Sequence, residues 1–86
     1  RATSPAEGGF AIQVGAFGDR AAATRLAREL RAAGFSVYVH GEDERRGVRF
    51  RVRVGPVPTR EAAVRLASKL ESDHQLPTWI LSPDSD

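Results

Sequence analysis

The chain has 86 residues, which limits it to one small domain of two thin layers and argues against an enclosed active-site cavity. Its 41% apolar and 28% charged residues are ordinary for a soluble globular domain, and the absence of cysteine excludes a disulfide framework or a thiolate metal site. The net charge of +2, with its arginines unevenly placed, leans towards anionic partners.

No apolar run approaches the roughly 18 residues needed to cross a bilayer. The chain opens at Arg1 with neither an initiator Met nor a signal peptide, which reads as a piece cut from a longer protein. Residues 1–8 ("RATSPAEG") read as a linker, residues 9–82 as the folded domain and residues 83–86 as a tail.

In chain order, the first strand is "FAIQVGAF", in which Ile12 and Val14 alternate with Gln13 and Gly15. Asp19 then caps a helix whose apolar stripe is Ala23, Leu26, Ala27 and Leu30, and Gly34 ends it. Ser36–His40 reads as a second strand, with Val37 and Val39 on one face and Ser36, Tyr38 and His40 on the other. The polar segment "GEDERRG", bracketed by Gly41 and Gly47, reads as a hairpin loop in which Glu42, Asp43 and Glu44 are solvated. A third strand follows in "FRVRVGPV", with Val52 and Val54 alternating with Arg51 and Arg53, and Arg49 just ahead of it continues the arginine row. Thr59 caps a second helix with the stripe Ala63, Leu66, Ala67 and Leu70, and Thr78–Leu81 forms a short last strand between two prolines.

The second half repeats the first. Phe10–Leu30 aligns with Phe50–Leu70 at an offset of 40 without a gap, and 10 of the 21 pairs are identical, among them Phe10/Phe50, Arg20/Arg60 and Leu30/Leu70. The expected fold is therefore α+β, a β-α-β-β-α-β arrangement of the ferredoxin-like or RNP-like type. Right-handed crossovers place both helices on one face of a four-stranded antiparallel sheet whose central strands start at Phe10 and Phe50.

The opposite face of that sheet is left open. Strand parity assigns Ile12, Val14, Val37, Val39, Val52 and Val54 to the helices, and Gln13, Gly15, Phe17, Tyr38, Arg49, Arg51 and Arg53 to the open side. In the last strand either Thr78 with Ile80 or Trp79 with Leu81 faces outward. Trp79 outward is the expectation, because small helical alanines leave little room for an indole. Aromatic planes, an amide and guanidinium forks on one shallow surface suit a flat, polar, anionic polymer, with Gly15 giving close access to the backbone. Solvated arginines and a core Phe17 are the ordinary alternatives for these residues taken singly.

The motifs "QVGAF" and "RVRVGPV", with the two-fold repeat, make the chain resemble the SPOR domain, the sporulation-related repeat of bacterial cell-envelope proteins. The resemblance covers residues 9–82, with Gln13, Gly15 and Phe17 in one motif, Arg51–Pro56 in the other, and Arg60 and Glu61 opening the following helix. Val57 departs from the pattern, since an aromatic often follows Gly-Pro. The resemblance implies a non-catalytic module without cofactor or metal that binds peptidoglycan glycan strands denuded of their stem peptides. It implies a periplasmic location enriched at the division septum, and no contact of this domain with nucleic acid or membrane; the domain is expected to act as a monomer. The parent protein would be a rare lipoprotein A type lytic transglycosylase, an amidase or a division protein, alternatives that the residues leave open. The positions matching the family's site are Gln13, Phe17 and Arg51; parity adds Gly15, Tyr38, Arg53 and Trp79.

Two other readings share the fold. An RNA-recognition module would need aromatics on the open side of the central strands, and the third strand offers only arginines there. A protein-interaction domain would use the exposed sheet. An enzyme is disfavoured, since His40 and His74 lie in separate elements and neither a nucleophile elbow nor a phosphate loop occurs.

Overall fold

A computed structural model describes residues 9–83. The expected linker (1–8) and most of the expected tail (84–86) lie outside the described residues. The elements are β1 (Phe10–Phe17), α1 (Arg20–Ala32), β2 (Val37–Glu44), β3 (Gly47–Val57), α2 (Arg60–His74) and β4 (Trp79–Leu81). They form one antiparallel four-stranded sheet in the order β2-β3-β1-β4, so the expected β-α-β-β-α-β topology holds, with β1 and β3 central.

Local chemistry sets the helix ends. The Asp19 carboxylate accepts from the Ala21 N–H at 3.1 Å, and the Thr59 hydroxyl accepts from the Ala62 N–H at 3.1 Å, satisfying donors that a helix start leaves free. At the end of α1, Gly34 takes φ +101°, and the Gly34 and Phe35 amides donate to the carbonyls of Arg31 and Leu30, each at 3.0 Å. This is the Schellman closure for which glycine is favoured.

Both helices press an alanine–leucine stripe onto the same side of the sheet. Ala23, Ala27, Leu30, Ala63, Ala67 and Leu70 are buried against Ile12, Val14, Val52 and Val54. α1 packs mainly over β2 and β3, and α2 mainly over β1 and β4. The repeat also explains two identical pairs outside this stripe. Arg20, opening α1, lies 4.7 Å over the Phe50 ring, and Arg60, opening α2, lies 5.2 Å over the Phe10 ring. Each half thus sends its first helical arginine onto the first strand phenylalanine of the other half, a reciprocal cation–π clasp.

Two expectations change. The segment "GEDERRG" is not a loop: pairing continues through Glu42↔Arg49, Asp43↔Val48 and Glu44↔Gly47, leaving only Arg45 and Arg46 to turn the chain. Strand pairing satisfies the backbone further out than the polar composition suggests, because these side chains need only solvent on either face. The second change is a β-bulge in β1. Gln13 pairs with Arg53, but Gly15 pairs with Val52, so Val14 is an extra residue. The inserted residue reverses the parity beyond it. Gly15 and Phe17 therefore turn to the helix side, not to the open side expected from unbroken alternation.

The core stripe makes a direct prediction. Leu30→Ala and Leu70→Ala, each removing a side chain no more than 1% exposed, are expected to lower unfolding free energy by about 2–5 kcal/mol in urea denaturation. The repeat's symmetry further predicts similar losses at the two positions.

Candidate functional site

The open side of the sheet carries one row of side chains that crosses all four strands. The pairings Tyr38↔Arg53, Arg53↔Gln13 and Gln13↔Trp79 place one residue from each of β2, β3, β1 and β4 side by side. At about 4.8 Å per inter-strand step, the row is about 14 Å long. It has an aromatic at each end and polar donors in the middle.

The middle is organised by one hydrogen bond. Arg53 Nε donates to Gln13 Oε1 at 3.2 Å in a partly buried setting. That contact uses the only acceptor of the Gln13 side chain and turns its NH₂ away from Arg53, while the Arg53 terminal nitrogens keep their donors. The centre of the row therefore presents N–H groups, which suit carboxylate and carbonyl oxygens.

The ends differ. Trp79 is 56% exposed and faces outward, as the alanine-lined core required, while its neighbour Ile80 packs into the core. Its position on the edge strand also borders a shallow groove of about 410 Å³ whose other wall is Val64, Ala67 and Glu71 of α2. A hydrogen bond from the Thr78 hydroxyl to the Glu71 carboxylate ties β4 to that helix. At the other end the Tyr38 ring is partly buried, and its hydroxyl is covered without a hydrogen-bond partner among the described residues. Such a hydroxyl has an unmet capacity that is uncommon in folded proteins.

The next row along the sheet is His40, Arg51 and Ala16. Arg51 faces the open side as expected, but it is already held. Its Nε donates to Glu42 Oε1 at 2.9 Å and its Nη2 to Glu44 Oε2 at 2.6 Å. The carboxylates read as solvated loop residues are thus strand residues that pair with the arginine singled out for anion binding. Parity had already set His40 on this face. Ala16 escaped notice because only the bulge turns it outward, and it gives this second row a low floor.

Gly15 and Phe17 have no place on this face. A Cβ at Gly15 would lie 3.0 Å from Cε2 of Phe17 and 3.5 Å from Cδ2 of Leu26 on α1. Glycine is needed there because the Phe17 ring folds over it, not to admit a ligand from the open side. Phe17 packs on the core and pairs with Phe50. With Phe10, Phe17 and Phe50 all packed against the core, the open side of the central strands carries no aromatic ring. No cluster of three or more metal-ligating side chains occurs among the described residues.

The family model for the SPOR domain matches residues 6–82, and the chain belongs to that family of peptidoglycan-binding, non-catalytic domains of bacterial cell-envelope proteins. Among solved structures, the SPOR domain of RlpA from Pseudomonas aeruginosa superposes with a TM-score of 0.77 at 24% identity, over 87% of this chain and 100% of that one. At that identity the likeness establishes the shared fold. Comparison with curated proteins gives no match.

The placement of the two aromatics is checked by stability. Trp79→Ala is expected to leave unfolding free energy within about 0.5 kcal/mol of the parent. Phe17→Ala, which empties the space over Gly15, should cost more than about 1 kcal/mol. Urea denaturation of the two variants tests this; the reverse order would exchange their assigned faces.

Proposed function

We propose, taking the chain as a SPOR domain, that its open sheet face binds glycan strands from which amidases have removed the stem peptides, and that this binding directs a parent protein to the division septum in the periplasm. The observation that carries the reading is the row Tyr38–Arg53–Gln13–Trp79, with donors between two aromatics.

The chemistry of the polymer matches that row. Amidase cleavage leaves a free lactyl carboxylate on each muramic acid, where the intact strand has a neutral amide. Arg53 is the cation best placed for it, because its terminal N–H groups remain available for a charge-assisted pair. The Gln13 NH₂ group faces the acetamido carbonyls or ring hydroxyls, and the Trp79 indole offers an exposed apolar plane to a sugar face. The absence of open-face aromatics on the central strands argues against single-stranded RNA, which needs stacking platforms there. The reading requires neither cofactor nor second protomer.

Retention of the domain on purified sacculi before and after amidase treatment tests the proposal. Strong retention only after treatment is expected, whereas equal retention on both would reduce the interaction to charge attraction. Arg53→Gln and Trp79→Ala should each weaken binding to treated sacculi about tenfold or more, the scale of one lost charge-assisted or stacking contact.

A further inference from the structure

We propose that Glu42 and Glu44 act as an intramolecular competitor for Arg51, holding its guanidinium against a ligand carboxylate and limiting how tightly the open face binds its anionic glycan. The inference rests on the glycan reading above and concerns the regulation of the same site.

Three observations carry it. The first is the contact itself: both glutamates reach one guanidinium, at 2.9 Å and 2.6 Å, through donors that a lactyl carboxylate would use. The second is the order of exposure. The Arg51 side chain is 24% exposed, while Glu42 and Glu44 are 50% and 36% exposed, so a ligand approaching from solvent meets the carboxylates before the cation. The third is position. Arg51 and Arg53 are two residues apart on β3, about 6.6 Å, so the acidic pair adjoins the row that receives the glycan.

The charge balance follows. Two carboxylates on one guanidinium leave that triad at −1, and Arg49, whose Nε lies 3.8 Å from Glu44 Oε1, brings the four side chains to zero. The open face is thus cationic at Arg53 and near neutral at Arg51, although the arginines alternate evenly in sequence. The β2 neighbour of Arg53 is the neutral Tyr38, so the carboxylates lie along the sheet from Arg53, one row further on at Arg51. Glu42 and Glu44 take the Nε donor and one Nη2 donor of Arg51, so a ligand carboxylate that is to use that edge of the guanidinium must displace them. These glutamates lie on the arm of β2 beyond Gly41, an exposed edge paired only to β3. The acidic pair thereby separates two states of the face, one with a single ligand-facing cation and one with two.

The test is the affinity of Glu42→Gln, Glu44→Gln and the double variant for soluble glycan fragments released by amidase from sacculi, measured by calorimetry. The double variant should bind about three- to tenfold tighter than the parent, the range that two exposed ion pairs allow. Adding Arg51→Gln should abolish that gain, which a general change in charge would not do. Should the double variant lose its fold, the Arg51 Nε–Hε NMR resonance of the unmodified domain gives the second readout. It should shift on titration with the fragments as the carboxylates exchange. Unchanged or weaker affinity in a folded double variant, or a stationary Arg51 resonance while the parent binds, overturns the competitor. Failure of the parent to bind the fragments contradicts the glycan reading itself, and the competitor falls with it.

Discussion

The alanine–leucine stripes that seat α1 and α2 on one side of the sheet are the contact on which the rest depends. Ala23, Ala27, Ala63 and Ala67 are small enough for the helix backbones to approach the sheet closely, and Leu30 and Leu70 fill the space between. A domain of this size has apolar surface for one such layer only. The other side of the sheet is therefore left to side chains that gain nothing from burial, and its character as a shallow polar surface follows from where the core was placed. The reciprocal stacking of Arg20 on Phe50 and Arg60 on Phe10 extends the same economy to the sheet's margins, because one repeated pair of residues closes both halves.

Given that surface, cross-strand register decides what it presents. Residues far apart in the chain become neighbours at one strand spacing, so the row from Tyr38 to Trp79 draws one side chain from each strand. The Arg53–Gln13 hydrogen bond orients the two central members. One row below, Arg51 has the same residue type on the same strand face and a different electrostatic role, because two carboxylates further along β2, opposite Arg49 and Gly47, reach back to it. Neighbouring arginines that composition treats as equivalent are separated by their partners into one bonded to a neutral amide and one paired with two carboxylates.

Much of this was legible in the sequence. The 40-residue offset exposed the fold, the caps Asp19 and Thr59 marked the helix starts, and the small helical alanines implied an outward Trp79. Parity placed Gln13, Tyr38, Arg51 and Arg53 on the open side, where they lie. It failed at Gly15 and Phe17, because alternation persists on paper through "QVGAF" while the chain inserts Val14 as a bulge. A bulge depends on pairing with β3, and no local residue preference announces it. The partners of Arg51 were hidden for a related reason. "GEDERRG" has the composition of a loop, and only the hairpin's continued register brings Glu42 and Glu44 against the arginine. A glycine two residues before a phenylalanine on one strand fits a ring folding back over the backbone as well as a ligand approaching it, and the contact of Phe17 over Gly15 is the first of these.

On the proposed function, the open sheet face, and not the helical face, meets the glycan. The most direct measurement is amide and side-chain chemical-shift mapping of the labelled domain during titration with amidase-released glycan fragments. The largest shifts are expected at Tyr38, Arg53, the Gln13 side-chain amide and the Trp79 indole N–H, with α1 and α2 largely unmoved. Shifts concentrated on the outer faces of α1 or α2, with that row unperturbed, would contradict it.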